Sequence, residues 1–217
     1  MAVTTSSKVL NNVEAVRETL YEAMKADDRT IILGEDVGNR GNVFLITKDF
    51  INEFGPERVI DTPIAEASIV GIAVGMAMEG LRPIAEIQFA DFIYPAFNQI
   101  VGEAAKTRYR SNGEYTCPLV IRTPYGGGVR GALSHSVSIE ALFYHVPGLK
   151  IVAPAFPADV KGLLNAAIDD PDPVLFLEHK KTYRLIKGEV PDGHYTIPLG
   201  KANVVKEGTQ LTVVSYG

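Results

Sequence analysis

Apolar residues along this chain follow two alternating periods. Val13, Val16, Leu20 and Met24 fall at helical spacing, and Thr30-Ile-Ile-Leu-Gly34 is a short apolar run stopped by glycine, the pattern of a buried strand. The same alternation continues down the chain. Helices are predicted over Ile46–Phe54, Ala65–Glu79, Asp91–Arg110 and Ala158–Asp169. Strands are predicted over Arg58–Asp61, Pro83–Phe89, Leu119–Arg122, Leu149–Val152 and Val174–Leu177. Strand and helix taking turns at this spacing predict an α/β fold, a mostly parallel sheet with helices on both faces. Beyond Glu178 the texture changes. Residues 179–208 are polar and punctuated by Gly188, Pro191, Gly193, Pro198 and Gly200, the composition of a linker. Residues 209–217 form one more apolar run, expected to be the first strand of a C-terminal domain. The expected division is therefore an α/β domain over 1–178, a linker over 179–208 and that strand.

Composition narrows the function. The 217 residues are 46% hydrophobic and 22% charged, a globular balance, and 21 basic against 26 acidic residues leave a net charge of −5. That charge argues against a nucleic-acid binder. The single cysteine, Cys117, excludes an internal disulfide and any multi-cysteine zinc site, and it fits a reducing compartment. No apolar run is long enough to cross a membrane, and the polar start lacks a signal-peptide core. A cytoplasmic or organelle-matrix protein is expected.

Several motifs invite a chemical reading. Gly126, Gly128 and Gly131 match a dinucleotide-binding GxGxxG, but the next strand, Leu149–Val152, runs into Ala153-Pro154 with no acid to hold a ribose. There is no P-loop, and Ser134-His135-Ser136 lacks a nucleophile elbow. The helix from Ala65 is more informative. It is almost uncharged and thinned by Gly71 and Gly75, as suits close packing, yet it carries Glu66 in its first turn. An acid there either interacts with the helix dipole or is a buried carboxylate awaiting a nitrogen partner. Phe89, Phe92, Tyr94 and Phe97 follow the end of a predicted strand, where parallel sheets bind ligands. Most of these rings suit a core, and one could stack on a flat heterocycle.

Taken together in order, Gly34-Glu-Asp-Val37, Asp61-Thr-Pro-Ile-Ala-Glu66, Ala85-Glu-Ile-Gln-Phe-Ala-Asp-Phe92, Arg122-Thr-Pro-Tyr-Gly-Gly-Gly128, Ala132-Leu-Ser-His-Ser136 and Pro147-Gly-Leu-Lys-Ile-Val152 resemble one family. It is the β subunit of the thiamine-diphosphate-dependent 2-oxoacid dehydrogenases of pyruvate, branched-chain and acetoin type. The resemblance covers essentially the whole chain and departs from the family in length, since the family continues into a C-terminal domain. It implies half an active site. The β subunit holds the aminopyrimidine of thiamine diphosphate, while an α subunit binds the diphosphate and Mg²⁺ through a Gly-Asp-Gly motif that this chain lacks. It implies that Glu66 hydrogen-bonds a pyrimidine nitrogen and so favours the imino tautomer that deprotonates the thiazolium carbon. By the same resemblance Phe92 stacks on the pyrimidine, Ile64 and Gln88 line its pocket, and His135 moves a proton near the substrate and lipoyl group.

The resemblance further implies an α2β2 heterotetramer, a lipoyl-bearing acyltransferase core, and oxidative decarboxylation of a 2-oxoacid with acyl transfer to lipoamide. Gly131-Ala-Leu-Ser-His135 leans toward the branched-chain type. It also implies a structural potassium ion held near Leu119, Ala167, Ile168, Asp170 and Asp172; an ordinary solvated turn is the competing reading of Asp169-Asp-Pro-Asp172. The alternatives are a transketolase or deoxyxylulose-phosphate synthase fragment with the same pyrimidine-domain plan, or a non-catalytic scaffold subunit.

Overall fold

A computed structural model describes residues 6–217. In chain order its elements are β1 (Ser7–Asn11), α1 (Asn12–Ala26), β2 (Thr30–Gly34), α2 (Phe50–Phe54), β3 (Val59–Asp61), α3 (Glu66–Met78) and β4 (Arg82–Glu86). Then come α4 (Thr107–Arg110), β5 (Val120–Tyr125), α5 (Glu140–Phe143), β6 (Lys150–Val152), α6 (Pro157–Asp169), β7 (Val174–His179) and β8 (Lys187–Pro191). Six strands form one parallel sheet in the order β3-β2-β4-β5-β7-β6. The α/β architecture expected from the apolar pattern is the one observed.

The pleat sorts the core into two layers, because successive side chains of a strand point to opposite faces. Leu33, Ala85, Ile121, Leu175 and Leu177 face α3 and the segment after β4. Ile32, Ile84, Val120, Val174 and Phe176 face α1 and α6. The two helices of that second layer pack on each other, and fully buried Lys161 of α6 is held between Glu18 (2.7 Å) and Glu22 (3.0 Å) of α1. Helix α1 starts on a capping box: Asn11 accepts from the Glu14 amide, and the Glu14 carboxylate accepts from the Asn11 amide.

Three expectations are corrected. The predicted helix Ile46–Phe54 shrinks to α2, because Asn42 Oδ1 takes the amides of Phe44 and Ile46, and Asn42, Leu45 and Asp49 all have positive φ. The predicted helix Asp91–Arg110 is a chain of 3₁₀ turns and one π turn that becomes α-helical only at α4. Pro95 sits inside it without an N–H to continue a ladder. The expected linker contains β8, which pairs antiparallel with β1 (Leu10 opposite Gly188), and it buries Lys180, Tyr183 and Val190. Residues 209–217 pair with no strand among the described residues; Leu211, Val213 and Val214 are exposed, and Gly217 meets the domain through its amide on Ala153 O (3.2 Å).

Candidate active site

The order of the strands locates a site before any side chain is considered. From β2 the chain moves outward to the edge strand β3, then returns across to β4 on the other side of β2. The connections leaving β2 and β4 therefore diverge, and the crevice between their C-terminal ends is the place where open parallel sheets bind ligands. Glu35 follows β2, Glu66 opens the helix that returns from β3, and Gln88 and Phe89 follow β4. Three short stretches far apart in sequence thus meet at neighbouring strand ends, where Gln88 reaches Asp36.

Acids dominate its floor. Glu66 and Glu35 are both buried, and Glu35 Oε1 has no hydrogen-bond partner among the described residues. Burial pushes the Glu35 carboxyl above its usual range, and the negative charges of Glu66, Asp36 and Glu86 push it the same way. The loops on either side are tied down by Asp61, whose Oδ1 accepts from the Gly38 amide (2.5 Å) and whose Oδ2 accepts from Asn39 (3.2 Å). Glu66 thus stands on a rigid helix start: the amides of Ser68 and Ile69 already donate to Ala65 O. Gln88, half-buried, donates to Asp36 Oδ2 at 3.2 Å. Ile64, just before the helix, is 84% exposed.

The aromatic wall lies beyond β4. Phe89, Phe92 and His135 meet edge to face, with centroids 4.4 Å apart for Phe89–His135, 5.6 Å for Phe92–His135 and 6.1 Å for Phe89–Phe92. His135 has φ 69°, and its amide donates to Asp91 Oδ1 at 2.7 Å. It reaches the wall through the glycine loop after β5. That loop is pinned at its base, where the Gly126 amide donates to Val137 O (3.0 Å). Gly126 has φ +76°, and a Cβ there would stand 2.5 Å from His179 Nε2, so no larger residue fits.

Two residues of this neighbourhood were not singled out by the sequence reading. His179 ends β7, and Lys180 follows it; His179 Nδ1 and Lys180 Nζ are both buried without a hydrogen-bond partner among the described residues. Burial lowers the Lys180 ammonium to about 8, against the pull of Asp91, and it also lowers His179, favouring the neutral ring. Lys180 Nζ lies 5.8 Å from the Phe89 ring centroid. The available signal was charge interrupting the end of an apolar strand, Val174-Leu-Phe-Leu-Glu-His179, but a domain boundary placed at residue 178 hid it.

The same strands carry a second buried cluster. Arg122 on β5 is fully buried; it pairs with Glu86 on β4 and donates to Glu178 on β7 through Nε (2.7 Å) and Nη2 (2.8 Å). Asn42 Nδ2 donates to Glu86 (2.9 and 3.0 Å), and Tyr183 donates to Glu178 (2.5 Å).

The residues expected near a potassium ion have partners of their own. Asp170 is paired with Lys150 Nζ at 2.6 and 2.7 Å, and Asp172 with Arg108 Nε at 2.5 Å. Ile168 O accepts from the Arg82 guanidinium (2.7 Å), and Leu119 O accepts from the Val174 amide (2.9 Å). Among the described residues no cluster of three or more His, Cys, Asp or Glu side chains could hold a metal ion. No helix among them is long and apolar enough to cross a membrane.

A parallel sheet with its crevice at this switch point, a buried glutamate opening the return helix and an aromatic wall define a cofactor-binding α/β domain. Residues 8–186 match the family described as "Transketolase, pyrimidine binding domain", and the chain belongs to it. Among its curated relatives, the 2-oxoisovalerate dehydrogenase subunit beta of Bacillus subtilis is 58% identical over 96% of this chain. The pyruvate dehydrogenase E1 component subunit beta is 52% identical in Acholeplasma laidlawii and 47% identical in Bacillus subtilis. The chain spans 64% of the length of the 2-oxoisovalerate dehydrogenase subunit. A solved structure titled "Split gene transketolase, inactive beta4 tetramer" shares the fold, with a TM-score of 0.61 and 24% identity over 77% of this chain and 50% of its own.

Proposed function

We propose that this chain forms the pyrimidine-holding half of a thiamine-diphosphate site, as the β side of a 2-oxoacid dehydrogenase whose α subunit supplies the diphosphate and Mg²⁺ ligands. The observation that carries this reading is the buried Glu66 at the switch-point crevice, on the first turn of a rigid helix. The residues present fit the pyrimidine end of the cofactor: a buried acid, a second carboxyl with an orphaned oxygen in Glu35, and a wall of Phe89 and Phe92. They do not supply a diphosphate cradle, which fits a divided site.

In this role Glu66 exchanges a proton with a ring nitrogen where water cannot compete, and Phe92 offers its ring to the heterocycle. Ile64 and Gln88 flank it, and the exposure of Ile64 and of Ile72 on α3 leaves an apolar border for the α subunit. His135 gives or takes a proton beside the substrate carbonyl and the incoming lipoyl sulfur. The cofactor, when bound, acts as the electron sink that lets carbon dioxide leave a 2-oxoacid. The assembly is an α2β2 heterotetramer in the cytoplasm that docks on a lipoyl-bearing acyltransferase. The higher identity to the 2-oxoisovalerate enzyme favours a branched-chain 2-oxoacid over pyruvate. Identity at this level also disfavours a transketolase role.

The test is co-expression with a Gly-Asp-Gly-bearing α subunit, followed by carbon dioxide release from a panel of 2-oxoacids. Turnover should appear only in the mixed assembly and be fastest with branched-chain substrates. Micromolar binding of thiamine diphosphate and Mg²⁺ to this chain alone, measured by calorimetry, would place a whole site here and end the half-site reading.

A further inference from the structure

The proposed function uses the His135 side chain but leaves its placement unexplained. His135 sits at φ 69°, in a loop where Arg130 (58°) and Ala132 (56°) are also left-handed. Non-glycine residues in that region are held there by their surroundings. The hold is visible at one atom: the His135 amide donates to Asp91 Oδ1 at 2.7 Å, and the Val137 amide lies 3.5 Å from Oδ2. Asp91 itself is anchored in the 3₁₀ turn Ala90–Phe92 directly behind β4, where the Phe92 amide donates to Phe89 O (2.9 Å).

A carboxylate so placed is strongest as an acceptor when ionised. We propose that Asp91 is a positioning residue for His135: its carboxylate ties the glycine-loop histidine that arrives from β5 to the turn directly behind β4. The catalytic consequence rests on the proposed role of His135; the placement does not.

The test reads amide hydrogen exchange by NMR on the isotope-labelled full 217-residue chain, with Ile121 of β5 as internal reference. Asp91→Ala should speed exchange of the His135 amide about tenfold or more relative to Ile121, from loss of a charge-assisted bond. Asp91→Asn keeps an acceptor of the same shape and should restore most of that protection. A His135 amide unmoved by Asp91→Ala overturns the positioning role. Should Asp91→Ala unfold the chain, seen as lost protection at Ile121, the unsubstituted chain decides alone: a His135 amide that exchanges at the free-peptide rate has no acceptor to lose, and overturns the role. In the assembly with an α subunit, Asp91→Ala should lower kcat for acyl transfer with KM unchanged, and Asp91→Asn should recover most of it. Absence of turnover by the unsubstituted assembly would sink the functional reading and leave the exchange result standing.

Discussion

Two groups of buried charge lie on neighbouring strands and are built on opposite principles. Around Arg122 every charge is answered: Glu86 and Glu178 flank the guanidinium, and Asn42 and Tyr183 complete the carboxylates. At the strand ends the charges are left open, with Glu35 Oε1, His179 Nδ1 and Lys180 Nζ lacking partners among the described residues. A buried ion with all its bonds made is a structural element. A buried polar atom with none calls for an explanation of its own. The contrast separates scaffold from site where burial alone would not, since Glu86 and Glu66 are both buried acids.

The sharpest way to break the first group is Arg122→Met. It leaves two buried carboxylates without their cation, and a loss of about 3–5 kcal/mol in unfolding free energy is expected. Chemical denaturation measures it, and a loss under about 1 kcal/mol would mean the array contributes nothing net. In the open group the largest effect belongs to Glu66→Gln, which keeps shape and removes the proton-sharing acid. Turnover of the assembly should fall about a hundredfold or more with the denaturation midpoint unchanged. Activity that persists in this variant would remove Glu66 from the chemistry. Phe92→Ala should weaken thiamine diphosphate binding to the assembly about tenfold, with Phe92→Tyr near the unsubstituted value. Wild-type affinity in the alanine variant would make Phe92 a core residue only.

The smallest effect has a defined sign. Burial and three acidic neighbours raise the Glu35 carboxyl above its unfolded value, so the folded chain holds this proton where the unfolded chain releases it. Stability is therefore lost as pH rises past the unfolded value. Glu35→Gln should stabilise the chain by about 0.5–2 kcal/mol at neutral pH, and the gain should fade as pH falls below the ordinary glutamate range. A gain that grows on acidification would reverse the assignment of cause.

Much of this was legible in the sequence, and what was not has identifiable reasons. The strands β2 to β7 are apolar runs bounded by glycine, proline and charge, so burial on both faces makes them readable. The ribbon of β1 and β8 gave no such signal, because Ser7, Lys8 and Val9 are exposed and Gly188 and Pro191 resemble a loop. The run Leu211–Val214 carries strand propensity, and such propensity reports fit to a neighbouring strand, which the described residues do not supply. Glu66 stood out because it breaks its local pattern, whereas Phe92 and His135 were assigned by the family resemblance; the structure brings Phe92 and His135 into contact and buries Glu66 at the strand ends. Lys180 breaks a pattern as well, yet the ring it meets, Phe89, lies far earlier in the chain and only topology brings it near. The acidic turn at Asp169–Asp172 shows the complementary point: the basic side chains beside it, Arg82, Arg108 and Lys150, come from elsewhere in the chain.

The Arg122 array also bears on how the chain reaches its fold. Its members arrive from positions 42, 86, 122, 178 and 183, so no contiguous stretch can satisfy the guanidinium and both carboxylates. A partial sheet ending at β5 would bury Arg122 beside Glu86 alone, and one without Tyr183 would strand a bond of Glu178. Half-formed versions of the domain are therefore electrostatically penalised. Docking of β7 and the turn behind it should coincide with closure of the sheet, as a single cooperative step late in folding.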